Sequence, residues 1–128
     1  MTHQTVSHAA TELLGQCPAP VGEPDSSCPI ESALGVLRKR WAAPVVLELL
    51  RGPRGFTELT RAMPTLSEKV LTDRLAELVR SGVVHRSRTP GWPPRVWYRL
   101  TERGRALAPV LHALWTWGSD APEQAAWP

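Results

Sequence analysis

The sequence predicts a mainly α-helical domain carrying one small β-hairpin, on three observations. Apolar residues recur at helical spacing in successive segments: Ile30, Ala33, Leu34 and Leu37, then Leu71, Leu75 and Leu78, then Leu107, Val110, Leu111 and Leu114. A clear period of two appears later in the chain, where Val96, Tyr98 and Leu100 alternate with Arg95, Trp97 and Arg99. That segment and the strand-like VVHRSR before it are separated by TPGWPP, whose prolines and glycine continue no helix. A chain of 128 residues suits one such domain with a modest core.

Residues 1–27 read as a flexible N-terminal tail, with a weak helical stretch at HAATELLG followed by the proline-rich CPAPVGEPDSS. Order is expected from Cys28. Pro29 suits a first helical position and Glu31 favours a helix N-terminus. The next segment, RWAAPVVLELLRG, is apolar nearly all round and predicts a central core helix. Pro44 is tolerated only in a first turn, which sets the start near Ala42, and Gly52 marks the end. FTELTRAM then places Phe56, Leu59 and Met63 on one face of a short helix. PTLS breaks it, and Ser67 is positioned as the cap of SEKVLTDRLAELVRSG. At about 100° per residue, Lys69, Asp73, Ala76 and Arg80 point away from the leucine stripe of that helix, with Thr72 beside them. After the hairpin, Thr101 caps a final helix that Pro109 is expected to interrupt and bend. Residues 119–128 form a short C-terminal tail.

Charge adds a second layer. All fifteen Lys and Arg lie between Arg38 and Arg105, where six acids leave a net charge of +9, while both flanks are acidic. A basic centre between acidic ends fits contact with a polyanion, and it equally fits arginines that solvate helix surfaces. No apolar run reaches the roughly 18–20 residues of a membrane span, and the N-terminus lacks the pattern of a secretory signal, so a cytoplasmic location is expected. Cys17 and Cys28 match neither a C-x-x-C pair nor a zinc knuckle. The four histidines have no metal-ligand spacing, and no nucleophile–base or phosphate-loop constellation is present. The expectation is therefore no metal, no cofactor and no enzymatic activity.

Helix, helix, two helices joined by a short turn, basic hairpin, helix is the element order of a winged helix-turn-helix. The residues CPIESALGVLRKRW, LRGPRGFTELTRAMPTLSEKVLTDRLAELVRSGVVHR and WPPRVWYRLTERGRALAPVLHALWTWG resemble, in order and spacing, the HxlR-type winged-helix transcriptional regulators of bacteria. The resemblance runs from Cys28 to Gly118. It departs at LRKRW, where the family usually carries a glycine-containing stretch. It departs also at Pro44, and at Trp97, where an acidic residue is common. The resemblance implies a homodimer binding double-stranded DNA, with architecture like that of MarR-type proteins. A repressor is implied more often than an activator, and many members respond to electrophiles, oxidants or small metabolites.

In such a domain the N-terminal, outward part of the second helix of the pair meets base edges, which points to Ser67, Glu68, Lys69, Thr72 and Asp73, with Arg74 on the flank. Acids on that face repel phosphate, so they accept from cytosine amino groups, orient a neighbouring cation or stabilise the helix N-terminus. Arg86, Arg88 and Arg95 of the hairpin flank phosphates or enter a narrow minor groove. Trp92 at the tip either packs back on the domain or meets a sugar edge. The first and last ordered helices resemble the family's dimer surface, giving Ile30, Leu34, Leu111, Leu114, Trp115 and Trp117 as interface residues. Of the two tryptophans, one can face the core and one a partner, since residues two apart on a helix point apart. Cys28 is the candidate thiol sensor because it precedes a helix start, where unpaired N–H groups favour a thiolate. It can equally be a small, inert apolar residue. A winged-helix module whose basic hairpin binds an acidic protein is the alternative reading, and a thiol redox protein without DNA binding is a third.

Overall fold

The computed structural model describes residues 2–16 and 28–120, with side chains from residue 8 onward. The chain forms two compact units, Met1–Gly35 and Val36–Pro128. Cys17 with the rest of 17–27, and residues 121–128 of the C-terminal tail, lie outside the described residues.

In the first unit, α1 spans Thr2–Gln16, longer than the HAATELLG segment that the sequence predicted, with Leu13 and Leu14 exposed. Helix α2, Pro29–Leu37, begins where Pro29 predicts. The Cys28 carbonyl accepts the Ser32 N–H at 2.9 Å, which makes Cys28 the residue that opens the helix. No residue of α2 is fully buried, and Ile30 and Leu34 stand exposed.

The second unit is built around α3, Ala42–Leu50. Pro44 is its third residue, inside the first turn where its missing N–H breaks no helical bond. Ala42, Val45, Val46 and Leu49 are buried against β3, α5 and α7. The opposite face leaves Leu47 and Leu50 exposed, so α3 is one-sided rather than buried all round as its composition predicted. Strand β1, Arg54–Gly55, leads into α4, Phe56–Ala62. Next come α5, Glu68–Arg80, and the hairpin of β2, Val84–Thr89, and β3, Arg95–Leu100. The sheet is antiparallel with the order β1-β3-β2. Arg54 stands opposite Tyr98, and Tyr98 opposite Arg86. Leu59, Met63, Leu66, Leu71, Leu75, Leu78, Val83, Val84, Tyr98, Leu100 and Leu111 complete the core.

Two features differ from expectation. Strand β1 has no sequence signature, because two residues carry no periodicity. The final helix is two helices, α6 at Glu102–Arg105 and α7 at Leu107–Ser119, meeting at Ala106. Pro109 interrupts the helix as expected, through a break rather than a bend. Its ring would clash with the carbonyl of Arg105, and a new helix starting at Leu107 places Pro109 in a first turn. Thr101 does cap: its Oγ1 accepts the Gly104 N–H at 3.0 Å and donates to the Gly82 carbonyl at 2.6 Å.

Candidate nucleic-acid interface

Helix α5 is set by its ends and its stripe. Ser67 Oγ accepts the Val70 N–H at 3.2 Å, Glu68 sits in the first turn and Arg80 in the last, and Leu71, Leu75 and Leu78 are buried. Burying that stripe turns Ser67, Glu68, Lys69, Thr72 and Asp73 outward, and all five are exposed. Lys69 and Asp73 form an i,i+4 pair with Nζ 3.9 Å from Oδ2, so this acid orients a cation. The Thr72 hydroxyl donates to the Glu68 carbonyl at 2.8 Å.

Arg74, expected on the DNA-facing flank, is engaged within the protein. Its Nε donates to the Arg40 carbonyl at 2.8 Å and its guanidinium to Glu77 Oε1 at 3.1 Å, with the side chain 19% exposed. Lys39 Nζ lies 3.5 Å from the same Glu77 oxygen. Arg74 and Glu77 therefore fasten α5 to the 38–41 connection, a role no local pattern announces because the partners lie over thirty residues apart. The LRKRW segment supplies both anchors. Trp41, which ends it, takes a left-handed φ of 76°.

The hairpin divides its arginines between two faces. Residues opposite each other across an antiparallel pair share a face. Arg86 faces Tyr98 and Arg88 faces Val96, so both continue the core-side row beyond the last buried residue, Val84. Arg95 lies on the other face with Trp97 and Arg99, opposite Thr89, Ser87 and His85. Arg86, Arg88, Arg95 and Arg99 are exposed, so the hairpin presents cations on both of its faces. Trp92 is 94% exposed, so it does not pack back on the domain.

The expected interface residues also separate. Leu111 is a core residue, 8% exposed, because α7 meets α3 there, and it is not available to a partner as the sequence suggested. Leu114, Trp115 and Trp117 are exposed, the tryptophans at 73% and 80%. Neither tryptophan faces the core, because α7 runs past it. Cys28 is a free, half-buried thiol. Among the described residues no group of three or more His, Cys, Asp or Glu is placed to hold a metal ion, and no helix is long and apolar enough to cross a membrane.

A capped helix with a polar outward face, a preceding helix joined by a short turn and a basic hairpin make a winged helix-turn-helix. The HxlR-like helix-turn-helix family model matches residues 36–126, which contain all of these elements. The chain belongs to the HxlR-like helix-turn-helix family. The HTH-type transcriptional regulator YvaP of Bacillus subtilis is 45% identical over 94 residues, 73% of this chain and 87% of that protein. The HTH-type transcriptional regulator YodB of Bacillus subtilis is 39% identical over 97 residues, 75% of this chain and 87% of YodB. The structure of reduced YodB superposes with a TM-score of 0.70 at 38% identity, covering 77% of this chain and 98% of YodB. Structures of diamide-treated and quinone-bound YodB give TM-scores of 0.65 and 0.64. The redox regulator HypR in its reduced form gives 0.67 at 35% identity, covering 71% of this chain and 90% of HypR. A family of transcriptional regulators, not enzymes, is thus the setting of this HxlR-like domain.

Proposed function

We propose that this HxlR-like protein is a sequence-specific DNA-binding transcriptional repressor that reads a palindromic operator as a homodimer. The observation that carries this is the exposed row Ser67, Glu68, Lys69, Thr72 and Asp73 on α5, flanked by Arg86, Arg88 and Arg95 on the wing. In this reading α5 enters the major groove and supplies sequence, while the wing arginines neutralise phosphates and supply affinity. A two-fold dimer pairs with a two-fold operator. The apolar residues available for dimerisation are Ile30 and Leu34 on α2 and Leu114, Trp115 and Trp117 on α7, all exposed in the single chain.

Fluorescence anisotropy with the chain's own upstream intergenic duplex and a scrambled duplex, at low and physiological salt, tests the reading. Tighter binding to the upstream duplex that persists at physiological salt supports it. Loss of all duplex binding, with retained binding to an acidic protein partner, would replace it by the protein-interaction reading.

We further propose that an electrophile or oxidant controls DNA binding through Cys28. The support is a free thiol at the residue opening α2, together with relatives whose structures include oxidised, diamide-treated and quinone-bound forms. Addition of the Cys28 sulfur to a quinone gives a thioether and the reduced ring with no other reagent. A Cys28→Ser variant that loses the response of DNA binding to diamide and quinones supports the role, and an unchanged response removes it.

A further inference from the structure

One concave space lies between the recognition helix and the wing. It is a cleft of about 550 Å³ bordered by α4, α5 and the first half of β3, with Thr57, Glu58, Thr72, Arg95, Val96 and Trp97 among its lining residues. The sheet explains why it is open. Strand β1 ends at Gly55, opposite Trp97, so Arg95 and Val96 have no β1 residue beside them.

The chemistry at its edge is specific. Arg95 and Trp97 share the outer face of β3, and the guanidinium carbon lies 5.7 Å from the centroid of the indole ring. The ring in turn lies over Gly55, where an added Cβ would stand 3.7 Å from ring carbon Cζ3. Among the described residues Glu58 is the one acid lining the cleft, and its Oε1 accepts the Gly55 N–H at 3.4 Å. Arg95 forms no ion pair among the described residues. Its guanidinium therefore stands over an aromatic face with no carboxylate at ion-pair distance among the described residues. An arginine on an open strand loses side-chain freedom when it fastens to a phosphate, whereas one already stacked on indole has lost part of it beforehand.

We infer that this cleft seats the sugar–phosphate strand running between the two grooves of the bound duplex. Arg95 contacts the phosphate, Thr57 offers a neutral hydroxyl from the opposite wall, and Trp97 is the positioning residue for Arg95. The inference rests on the proposed DNA binding. A duplex with α5 in its major groove and the wing in the adjacent minor groove must pass one backbone strand between them, because a single backbone separates neighbouring grooves. The Thr72 hydroxyl is engaged with the Glu68 carbonyl, so Thr72 forms a wall of the cleft.

The experiment is a double-mutant cycle on duplex affinity across a salt series, using the full chain and its upstream duplex. Arg95→Ala is expected to weaken binding about tenfold and to reduce the salt slope by about one. Trp97→Ala is expected to weaken it several-fold. The double variant is expected to bind no worse than Arg95→Ala alone, and Trp97→Phe, which keeps a π face, to recover most of the loss. Trp97→Leu keeps apolar packing over Gly55 without that face and takes the place of Trp97→Ala if the alanine variant unfolds. Additive losses in the cycle, or Trp97→Leu binding as tightly as Trp97→Phe, would overturn the inference while leaving the DNA reading intact. Absence of any duplex binding by the unaltered chain would overturn both.

Discussion

The Nε of Arg74, on the recognition helix, donates to the carbonyl of Arg40 at 2.8 Å, across 34 residues of chain. The same side chain reaches Glu77 Oε1 on its own helix, and Lys39 meets the same oxygen at 3.5 Å. The helix proposed to enter the groove is thus held by a four-residue bracket of Lys39, Arg40, Arg74 and Glu77 as well as by its leucines. Arg74→Ala is expected to lower stability by about 0.5–1.5 kcal/mol, since it removes the bond to the exposed Arg40 carbonyl and leaves Glu77 with Lys39 alone. Urea denaturation measures that loss. The salt slope of duplex binding should stay unchanged, because Arg74 is spent inside the protein, and a slope reduced by one unit would return it to the DNA contacts.

The wing and the helix should fail differently. Arg88→Ala is expected to weaken binding to every duplex alike and to flatten the salt slope by about one. Lys69→Ala and Thr72→Ala are expected instead to narrow the affinity gap between operator and scrambled duplex, by about 1–3 kcal/mol for a lost base contact. Anisotropy titrations against both duplexes separate the two behaviours. If the two kinds of substitution behaved alike, the division of labour between wing and helix would be wrong.

Gly104 marks the corner where β3 turns into α6. A Cβ there would run into the Val83 carbonyl and stand 3.1 Å from Leu100 Cδ2. The same corner carries the Thr101 hydroxyl bonds to Gly82 and Gly104. Neither backbone can yield without breaking that set, so Gly104→Ala is expected to cost about 1–3 kcal/mol or more, seen as a lowered melting temperature. Wild-type stability in the alanine variant would mean that this corner is looser than its bonds indicate.

Ser67 is a cap before it is anything else. Ser67→Ala removes the acceptor for the Val70 N–H and is expected to cost about 1 kcal/mol of stability. Ser67→Asp restores the cap while placing a negative charge toward phosphate. A variant that regains stability yet binds duplex more weakly than Ser67→Ala would place this position against the DNA backbone. Equal binding by the two would leave Ser67 a purely structural residue.

The exposed arc of α7 gives the test of dimerisation. Leu114→Asp together with Trp117→Asp changes residues that the single chain leaves largely in water. The expected result is a monomer by sedimentation velocity, with operator affinity reduced to that of one half-site. A dimer that survives both changes would place the interface elsewhere.

Much of this protein was legible in the chain because it is local. Pro29, Pro44 and Ser67 fix helix starts through steric and capping rules that act within one turn. Leu71, Leu75 and Leu78 set the face of α5, and hence the exposure of Lys69, Thr72 and Asp73, by period alone. The alternation from Arg95 to Leu100 fixed which β3 residues share a face. The family resemblance rested on these same segments.

Tertiary structure decided what depends on partners distant in sequence. Arg74 and Lys69 look equivalent as basic residues of one helix, and only the position of the Arg40 carbonyl makes one a brace to a distant segment while the other pairs with Asp73 on the exposed face of its own helix. Leu111 and Leu114 share a stripe, yet α3 ends the core between them, so one is buried and the other exposed. Trp97 and Gly55 meet only because a two-residue strand pairs with β3. Pattern fixes the direction in which a side chain points along its own element, whereas contact requires a second element whose register is set by packing and strand pairing.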